Sequence, residues 1–381
     1  MKHLFERTSI NGMSLPNRFV RSATWEGLAD KDGSVSQKLT EKMVELTKGE
    51  VGLIISGYSF VSPEGQSTSG QLAVYDDRFV PGLKKMVQTV HAAGGKIALQ
   101  IVHGGAFADS KLTGREAVGP SSGLAPCRPL KLEEMEGIVL AFANAARRAK
   151  EAGFDAIQVH GAHGFLLSQF LSNAFNKRAD EYGGSLKNRA RLLLEVVRSV
   201  RKVLGPGFPL LMKLNSEDFL QGGMTREESV QVSRMLEKES VDAVEFSGGT
   251  LASPENFFPA RPGILNTRDQ EAYYRQAANL YKKEVFIPLM LVGGIRSYEV
   301  AGELVESGTT DCISLSRPLI VEPGLVKRWR EGDRRKAECI SCNACFGPAR
   351  EGKGLYCVVA QKKRDNASDA PGGPEKEGGL T

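Results

Sequence analysis

The sequence predicts an α/β fold, a (β/α)8 TIM barrel followed by a short C-terminal cysteine-rich extension. Short apolar runs alternate with amphipathic stretches through most of the 381 residues, and four cysteines crowd together after the last run. Strands that alternate with helices pair in parallel, and eight such units close into a barrel. The predicted strands are Phe19–Ser22, Gly52–Ser56, Ile97–Val102, Ala156–His160, Leu210–Asn215, Ala243–Ser247, Leu289–Val292 and Cys312–Ser316.

The stretches between these runs predict helices because their apolar residues recur at spacings of three and four. An open, doubly wound sheet is the alternative, but it places a glycine-rich fingerprint after its first strand. The segment Ser22-Ala23-Thr24-Trp25 stands there instead. The predicted helices include Leu132–Ala152, Lys187–Val203, Thr225–Lys238 and Ser297–Glu306.

The domain boundaries are placed where this alternation stops. We expect the barrel over residues 1–332 and the cysteine-rich segment over residues 333–360. Residues 361–381 are rich in lysine, glutamate, glycine and proline. Because such a segment has almost no apolar surface to bury, it is predicted to be disordered.

The composition argues against several classes of protein. Apolar residues make up 41% of the chain, but no run reaches the roughly 20 residues that span a bilayer. Met1–Asn11 lacks the apolar core of a signal peptide, so a cytoplasmic protein is expected. The formal charge of +5 is spread along the chain, which argues against nucleic-acid binding.

Polar residues gather where the predicted strands end, which is the rim of a barrel that carries chemistry. Gly293-Gly294 and Ser316-Arg317 follow the last two strands, where backbone N–H groups and a guanidinium can hold a phosphate. The alternative interpretation of the two glycines is a tight turn. His160 and His163 end the fourth strand. They can donate hydrogen bonds to a carbonyl oxygen or bind a metal, although no third metal ligand is evident.

Lys213 emerges from an otherwise apolar strand, where an unpaired charge would be costly. Its anionic partner is either a bound ligand, for which a reduced flavin is suited, or a carboxylate of Glu217 or Asp218.

The cysteines Cys339, Cys342, Cys345 and Cys357 follow the last barrel unit directly. Four thiolates at this spacing can hold a [4Fe–4S] cluster. Zinc is an alternative occupant, and a loop of free thiols is the third interpretation.

These motifs in this order resemble the old yellow enzyme, or NADH:flavin oxidoreductase, family. The likeness is greatest to the FMN barrel of its branch with 2,4-dienoyl-CoA reductase and trimethylamine dehydrogenase. It extends from Leu15-Pro16-Asn17-Arg18 to Cys357. The most specific stretches are 160–172, HGAHGFLLSQFLS, and 180–186, DEYGGSL.

The resemblance implies FMN as cofactor, NAD(P)H as electron donor and reduction of an activated alkene or a related small electrophile. It implies a catalytic site of His160, His163 and Trp25. The residues implied to bind FMN are Ala23, Thr24, Gly57, Tyr58, Gln100, Lys213, Gly293, Gly294, Ser316 and Arg317. In that branch the cysteine cluster relays electrons to another redox centre, so a separate redox partner protein is expected.

Three positions depart from the family pattern. Phe165 stands where many members have a proton-donating tyrosine, Trp25 where a smaller residue adjusts the flavin, and Asn173 where proline is common. A phenyl ring cannot donate a proton. This change favours one alternative to alkene reduction, an oxidative dehydrogenase or demethylase that passes electrons out through the cluster. Two further alternatives are a non-catalytic FMN electron-transfer subunit and a barrel without flavin.

Overall fold

A computed structural model of the chain describes residues 2–368. Eight parallel strands pair in sequence order, and the eighth pairs with the first, so the barrel is closed. All eight predicted strands are confirmed. They are β1 (Phe19–Arg21), β2 (Leu53–Ile55), β3 (Ile97–Val102), β4 (Ala156–Gly161), β5 (Leu210–Asn215), β6 (Ala243–Ser247), β7 (Leu289–Leu291) and β8 (Cys312–Leu315).

A principal helix follows each strand and packs its apolar face on the barrel. The fourth helix buries Leu193, Val197 and Val200 along one side, because apolar residues recur every three or four positions. The helices are α1 (Gln37–Lys48), α2 (Val80–Ala92), α3 (Met135–Ala152), α4 (Arg191–Leu204), α5 (Arg226–Lys238), α6 (Arg275–Glu284), α7 (Tyr298–Glu306) and α8 (Leu325–Arg330). Shorter helices span Ser110–Thr113, Leu166–Leu171, Leu186–Arg189, Arg317–Val321 and Phe346–Arg350.

An antiparallel hairpin that the sequence analysis missed closes the lower end of the barrel. Its strands are Thr8–Ile10 and Met13–Leu15. Ile10, Met13 and Leu15 pack against residues near the starts of the barrel strands. Those residues form an apolar layer of Val20, Leu53, Ile55, Ala98, Ala156, Leu211, Ala243, Met290 and Cys312. Further short strands are Ser59–Phe60, Val118–Gly119 and Arg128–Pro129.

A polar layer lies above this apolar layer inside the barrel. Side chains of a strand alternate between its two faces, so the residue two positions further along points the same way. Six residues of the apolar layer are followed, two positions later in the same strand or just after it, by a polar residue. All six of these polar side chains are buried. The polar layer consists of Ser22, Gln100, Gln158, Lys213, Glu245 and Ser314.

The cysteine-rich segment packs on the upper rim of the barrel. Cys345, Ala349 and Leu355 form a small apolar cluster with Ile320, against which Trp25 packs. Helix Val358–Ser368 extends from the cysteine-rich segment through residues 361–368 of the predicted tail. Alanine, glutamine, lysine and arginine favour a helix there despite the lack of apolar surface. Residues 369–381 of the predicted tail lie outside the described residues.

Within the described part of the chain, no helix is long and apolar enough to cross a membrane.

Candidate active site

A cavity of about 560 Å³ opens where the barrel strands end. Its volume lies in the range usual for small-molecule sites. Most of the residues predicted for FMN or catalysis line it. They are Ala23, Thr24, Trp25, Tyr58, His163, Lys213, Gly293, Gly294, Ser316 and Arg317.

Gly57, Gln100 and His160 were predicted for the same site but do not line this cavity. A Cβ atom at Gly57 would lie 2.4 Å from Oε2 of Glu26, so packing against Glu26 accounts for the glycine. Gln100 lies in the polar layer, and its side chain is buried in the barrel interior. The His160 ring is buried behind His163, with the two ring centroids 5.0 Å apart.

All residues of the polar layer except Ser314 form a continuous chain of hydrogen bonds that ends at the cavity. Gln100 Nε2 donates to Gln158 Oε1 at 2.6 Å, and Gln158 Nε2 donates to Glu245 Oε2 at 2.9 Å. Lys213 Nζ donates to the same Glu245 oxygen at 2.8 Å and to Ser22 Oγ at 2.8 Å. Lys213 is thus held by this chain and also forms part of the cavity wall.

The expected carboxylate partner of Lys213 was the wrong one. Its partner is Glu245 on the adjacent strand β6, and both side chains are almost completely buried. Glu217 pairs with Arg226 instead, and Asp218 accepts hydrogen bonds from within its own loop. Burial raises the pKa of Glu245, but Lys213 and the hydrogen bonds to Glu245 outweigh it and leave the pKa below its usual value.

His163 is held at the cavity wall in a defined orientation. Its φ of 65° turns the chain after β4, and its N–H donates to Asn215 Oδ1 at 3.0 Å. Its Nε2 lies 2.6 Å from Ser247 Oγ. His160 Nδ1 accepts the N–H of Ala162 at 3.2 Å, which leaves Nε2 as the protonated nitrogen of a neutral ring.

The two histidines are neutral hydrogen-bonding groups. Burial is the main cause that lowers both pKa values well below the usual value. The positive charge of Lys213 adds to it for His163, and the charges of His163 and Lys213 add to it for His160. Among residues 2–368, no group of three or more His, Cys, Asp or Glu side chains is arranged to hold a metal ion. The alternative of a histidine metal pair therefore lacks the further ligands that it needs.

Phe165 and Tyr58 form an aromatic wall beside the histidines. The centroid of the Phe165 ring lies 5.0 Å from His160 and 5.4 Å from Tyr58. The Tyr58 hydroxyl lies 3.2 Å from Thr68 Oγ1. Burial raises the pKa of Tyr58, so its hydroxyl keeps its proton. Trp25 also lines the cavity, and its Nε1 donates to the carbonyl of Ser69 at 3.2 Å.

The predicted phosphate residues lie together at one end of the cavity. Gly293 and Gly294 have φ values of 133° and 73°, which only glycine adopts readily, so the tight-turn interpretation holds whatever they bind. Ser316 Oγ lies 2.8 Å from Thr24 Oγ1. Arg317 Nη1 donates to Asn343 Oδ1 at 2.7 Å. The role of these residues in phosphate binding stays a prediction.

The four clustered cysteines line a separate cavity of about 30 Å³. Arg317, Ser341 and Asn343 line both this cavity and the large one, so the two sites share a wall. Burial, followed by the charge of Cys339, raises the pKa of Cys345 to about 11. The cysteines are not arranged to hold a single metal ion. In a zinc site, four sulfurs would lie about 3.8 Å apart.

Several site residues escaped the sequence analysis. Gln158 and Glu245 complete the polar layer, and strand alternation combined with the register of neighbouring strands would have found them. Phe346 and Arg350 of the cysteine-rich segment line the mouth of the large cavity. Arg261, in the loop after β6, stacks on aromatic rings beside the cavity, and no sequence signal marks it.

Comparison with known proteins gives consistent matches. The model of the NADH:flavin oxidoreductase / NADH oxidase family matches residues 3–336. The NADH oxidase of Thermoanaerobacter brockii is 36% identical over 91% of this chain and 54% of its own length. The 4,4'-dithiodibutanoate disulfide reductase of Rhodococcus erythropolis is 31% identical over 93% of this chain and 94% of its own length.

A solved structure of 2-naphthoyl-CoA reductase with 2-naphthoyl-CoA has a TM-score of 0.86 and 28% identity. The match covers 97% of this chain and 58% of that protein. The chain therefore spans about half the length of this reductase and of the NADH oxidase.

Proposed function

Because the chain belongs to the NADH:flavin oxidoreductase / NADH oxidase family, we propose that it uses FMN and NAD(P)H to reduce the activated double bond of a small acyl compound. The observation that carries this proposal is the convergence of His163 and Lys213 on one aromatic-walled cavity. His163 is a hydrogen-bonding group for a carbonyl oxygen. Lys213 is a fixed cation for an electron-rich ring system.

The residues of the cavity fit FMN. Lys213 at the floor would hold the pyrimidine edge, and the group at Gly293, Gly294, Ser316 and Arg317 would hold the phosphate. In the polar layer below the cavity, Glu245 Oε1 and Ser314 Oγ are buried without a hydrogen-bond partner. Buried polar atoms usually have one, so these two can accept or donate a further hydrogen bond. When bound, FMN supplies hydride transfer from NAD(P)H to the substrate.

His163 binds and polarises the substrate carbonyl, whereas His160, which does not line the cavity, packs against the His163 ring. The lowered pKa of His163 keeps it neutral, so it stabilises developing negative charge by hydrogen bonding and not as a cation. The contact of His163 with Ser247 fixes the direction of the ring. Groups oriented in advance stabilise a transition state without the cost of reorganisation.

Tyr58 is our candidate for the proton donor that Phe165 cannot be. Its ring packs on Phe165, so its hydroxyl belongs to the same wall of the cavity. Burial raises the pKa of Tyr58, so the hydroxyl carries the proton that a donor must have. Thr68 Oγ1 lies 3.2 Å from the hydroxyl and orients it.

The walls and the mouth of the cavity favour an aromatic or unsaturated acid or its thioester. Trp25, Phe107, Phe165 and Phe346 provide flat apolar surface. Arg350 lies at the mouth, is exposed, and has no ionic or hydrogen-bonding partner for its side chain among the described residues. The structural neighbour 2-naphthoyl-CoA reductase binds an aromatic thioester, which supports this class.

We propose further that Cys339, Cys342, Cys345 and Cys357 hold a [4Fe–4S] cluster that exchanges electrons with a separate redox protein. All four line one small cavity that shares a wall with the FMN cavity. Four cysteine thiolates are the ligand set of a [4Fe–4S] cluster.

Anaerobic mixing tests the proposed reaction. NAD(P)H is expected to bleach the bound FMN, and cinnamic acid, 2-naphthoyl-CoA or 2-cyclohexenone is expected to restore its colour. His163→Ala should slow only the second step, by about 100- to 1,000-fold, because it removes a carbonyl-binding group. His91→Gln is the matched control, since His91 lies on the surface beside Asp155.

The competing oxidative dehydrogenase, which Phe165 favours, predicts the opposite pattern. An amine substrate would then bleach the flavin, and NAD(P)H would not. That result would refute the proposed direction of the reaction but would retain the flavin site.

A further inference from the structure

Arg261 stands at the centre of four aromatic rings beside the cavity. Its Cζ lies 4.6 Å from the ring centroid of Phe219, 4.7 Å from that of Tyr273, and 5.0 Å from those of Phe257 and Tyr274. Stacking of this kind holds a guanidinium plane in place. It leaves the N–H groups at the edge of that plane free to bind another group.

The edge of this guanidinium is only partly satisfied, because the Tyr274 hydroxyl interacts with it but two of its nitrogen atoms have no partner. Arg261 Nε and Nη2 are buried without a hydrogen-bond partner, and so is the hydroxyl of Tyr273 beside them. The described residues contain ten buried side-chain atoms without a partner, and three of the ten belong to these two neighbouring residues. The ion pairs of the described residues, such as that of Arg268 with Glu303 in the same loop region, do not include Arg261. Buried donors without partners are costly and indicate a missing ligand.

This group of donors lies beside the predicted phosphate site: Tyr273 lines the cavity, and Arg261, which does not, packs against the Tyr273 ring. A Cβ atom at Gly294 would lie 2.6 Å from the Tyr273 ring, so the ring packs directly on that glycine. The N–H of Tyr273 donates to the Gly293 carbonyl at 3.1 Å. Arg317 Nη1 donates to the Arg261 carbonyl at 2.7 Å, which links the two arginines.

We propose that Arg261 is a second arginine for the FMN phosphate, assisted by the hydroxyl of Tyr273. The proposal rests on the proposed function, because it assumes that the cavity binds FMN. The aromatic rings hold the guanidinium before the ligand arrives, so little side-chain freedom is lost on binding. Arg317 and Arg261 then approach the phosphate from the loops after β8 and β6.

The test compares FMN with riboflavin, which has the same ring system and no phosphate. Flavin-free protein is titrated with each, and binding is followed by quenching of flavin fluorescence. Arg261→Gln is expected to weaken FMN binding by about 10- to 100-fold, the usual worth of a charged hydrogen bond, and to leave riboflavin binding unchanged. Tyr273→Phe should weaken FMN binding by less.

Arg268→Gln is the matched control. Arg268 lies in the same loop region but pairs with Glu303 at the surface, so its loss should change neither affinity. Arg261→Met, which keeps an apolar stem among the rings, checks whether packing alone is at stake. An equal loss of FMN and riboflavin binding in the Arg261 variants would mean a structural cage and would overturn the proposal.

A second source of phosphate is the nicotinamide dinucleotide. If Arg261→Gln raised the KM for NADH or NADPH while the ratio of FMN to riboflavin affinity stayed at the wild-type value, the anion would be that of the dinucleotide and the proposal would fail. If the wild-type protein bound neither flavin, the proposed function itself would fail. These outcomes are distinct.

Discussion

The polar layer inside the barrel and the cysteine-rich segment at its mouth hold reactive polar groups in contrasting ways. In the polar layer, Lys213 and Glu245 satisfy each other across 2.8 Å, and neighbouring strands fix both residues. In the cysteine-rich segment, Cys342 is exposed and Cys357 is half-buried. A buried ion pair of this kind can form as the barrel folds, whereas a group of thiols needs a ligand to hold it together.

The two regions nevertheless meet at a few defined contacts. Asn343 accepts a hydrogen bond from Arg317 and donates one to the Ala260 carbonyl, both at 2.7 Å. Arg296 donates to the Ser341 hydroxyl. These bonds fasten the cysteine-rich segment to barrel loops that line the large cavity. Changes in the segment can therefore reach the cavity without passing through the polar layer.

The largest effect is expected from breaking the polar layer. Lys213→Met and Glu245→Gln should each lower the free energy of unfolding by about 3–5 kcal/mol, because each leaves a buried partner uncompensated. The double variant should cost less than the sum of the two. Urea unfolding of all four proteins without flavin measures the coupling.

The control for this cycle is the pair Arg226 and Glu217, which is about one-third exposed and should couple by less than about 1 kcal/mol. If the losses at Lys213 and Glu245 were additive, the two residues would stabilise the barrel separately. That result would contradict a coupled ion pair between them.

A smaller effect is expected on the pH dependence of stability, to which a buried histidine of the barrel contributes. Burial lowers the pKa of His103 to about 4, against the opposing charge of Glu64. The unfolded chain therefore binds a proton in the range where the folded chain does not, so stability is lost as the pH falls below about 6.5. This one group should cost about 1 kcal/mol between pH 7 and pH 5.5.

His103→Asn should flatten the pH dependence of unfolding by that amount, whatever it does to absolute stability. Urea titrations at pH 7, 6 and 5.5 measure the slope, with His91→Gln as the surface control. Equal slopes for His103→Asn and the wild type would place the acid sensitivity of the protein elsewhere.

The sequence predicts the barrel well because the information is local. An apolar run such as Leu210–Leu214 marks a buried strand without reference to any other part of the chain. Partners of Lys213 are harder to predict, because Glu245 becomes adjacent only through the register of β5 and β6. Glu217 and Asp218 are closer in sequence, and the loop turns them towards other partners.

Loops and the segment after the barrel are predicted least well. Arg261 is placed by four rings from separate parts of two loops, a contact that no periodic pattern encodes. The hairpin at Thr8–Ile10 was missed because three-residue strands carry too few positions for alternation to be recognised. Spacing located the four cysteines, but it could not show that Phe346 and Arg350 reach the large cavity.

The smallest effect on the barrel is expected from the cysteine-rich segment, although the effect on the segment itself should be complete. Cys342→Ser should abolish iron and labile sulfide in anaerobically purified protein and should change the unfolding of the barrel by less than about 0.5 kcal/mol, since Cys342 is exposed. Hydrogen exchange should rise in residues 337–360 alone, because the thiols lose the ligand that ties them.

Cys127→Ser, which alters a half-buried cysteine outside the segment, should keep the iron. Wild-type protein without iron and sulfide would rule out the cluster. Loss of barrel stability together with the iron would show instead that the two regions fold as one unit.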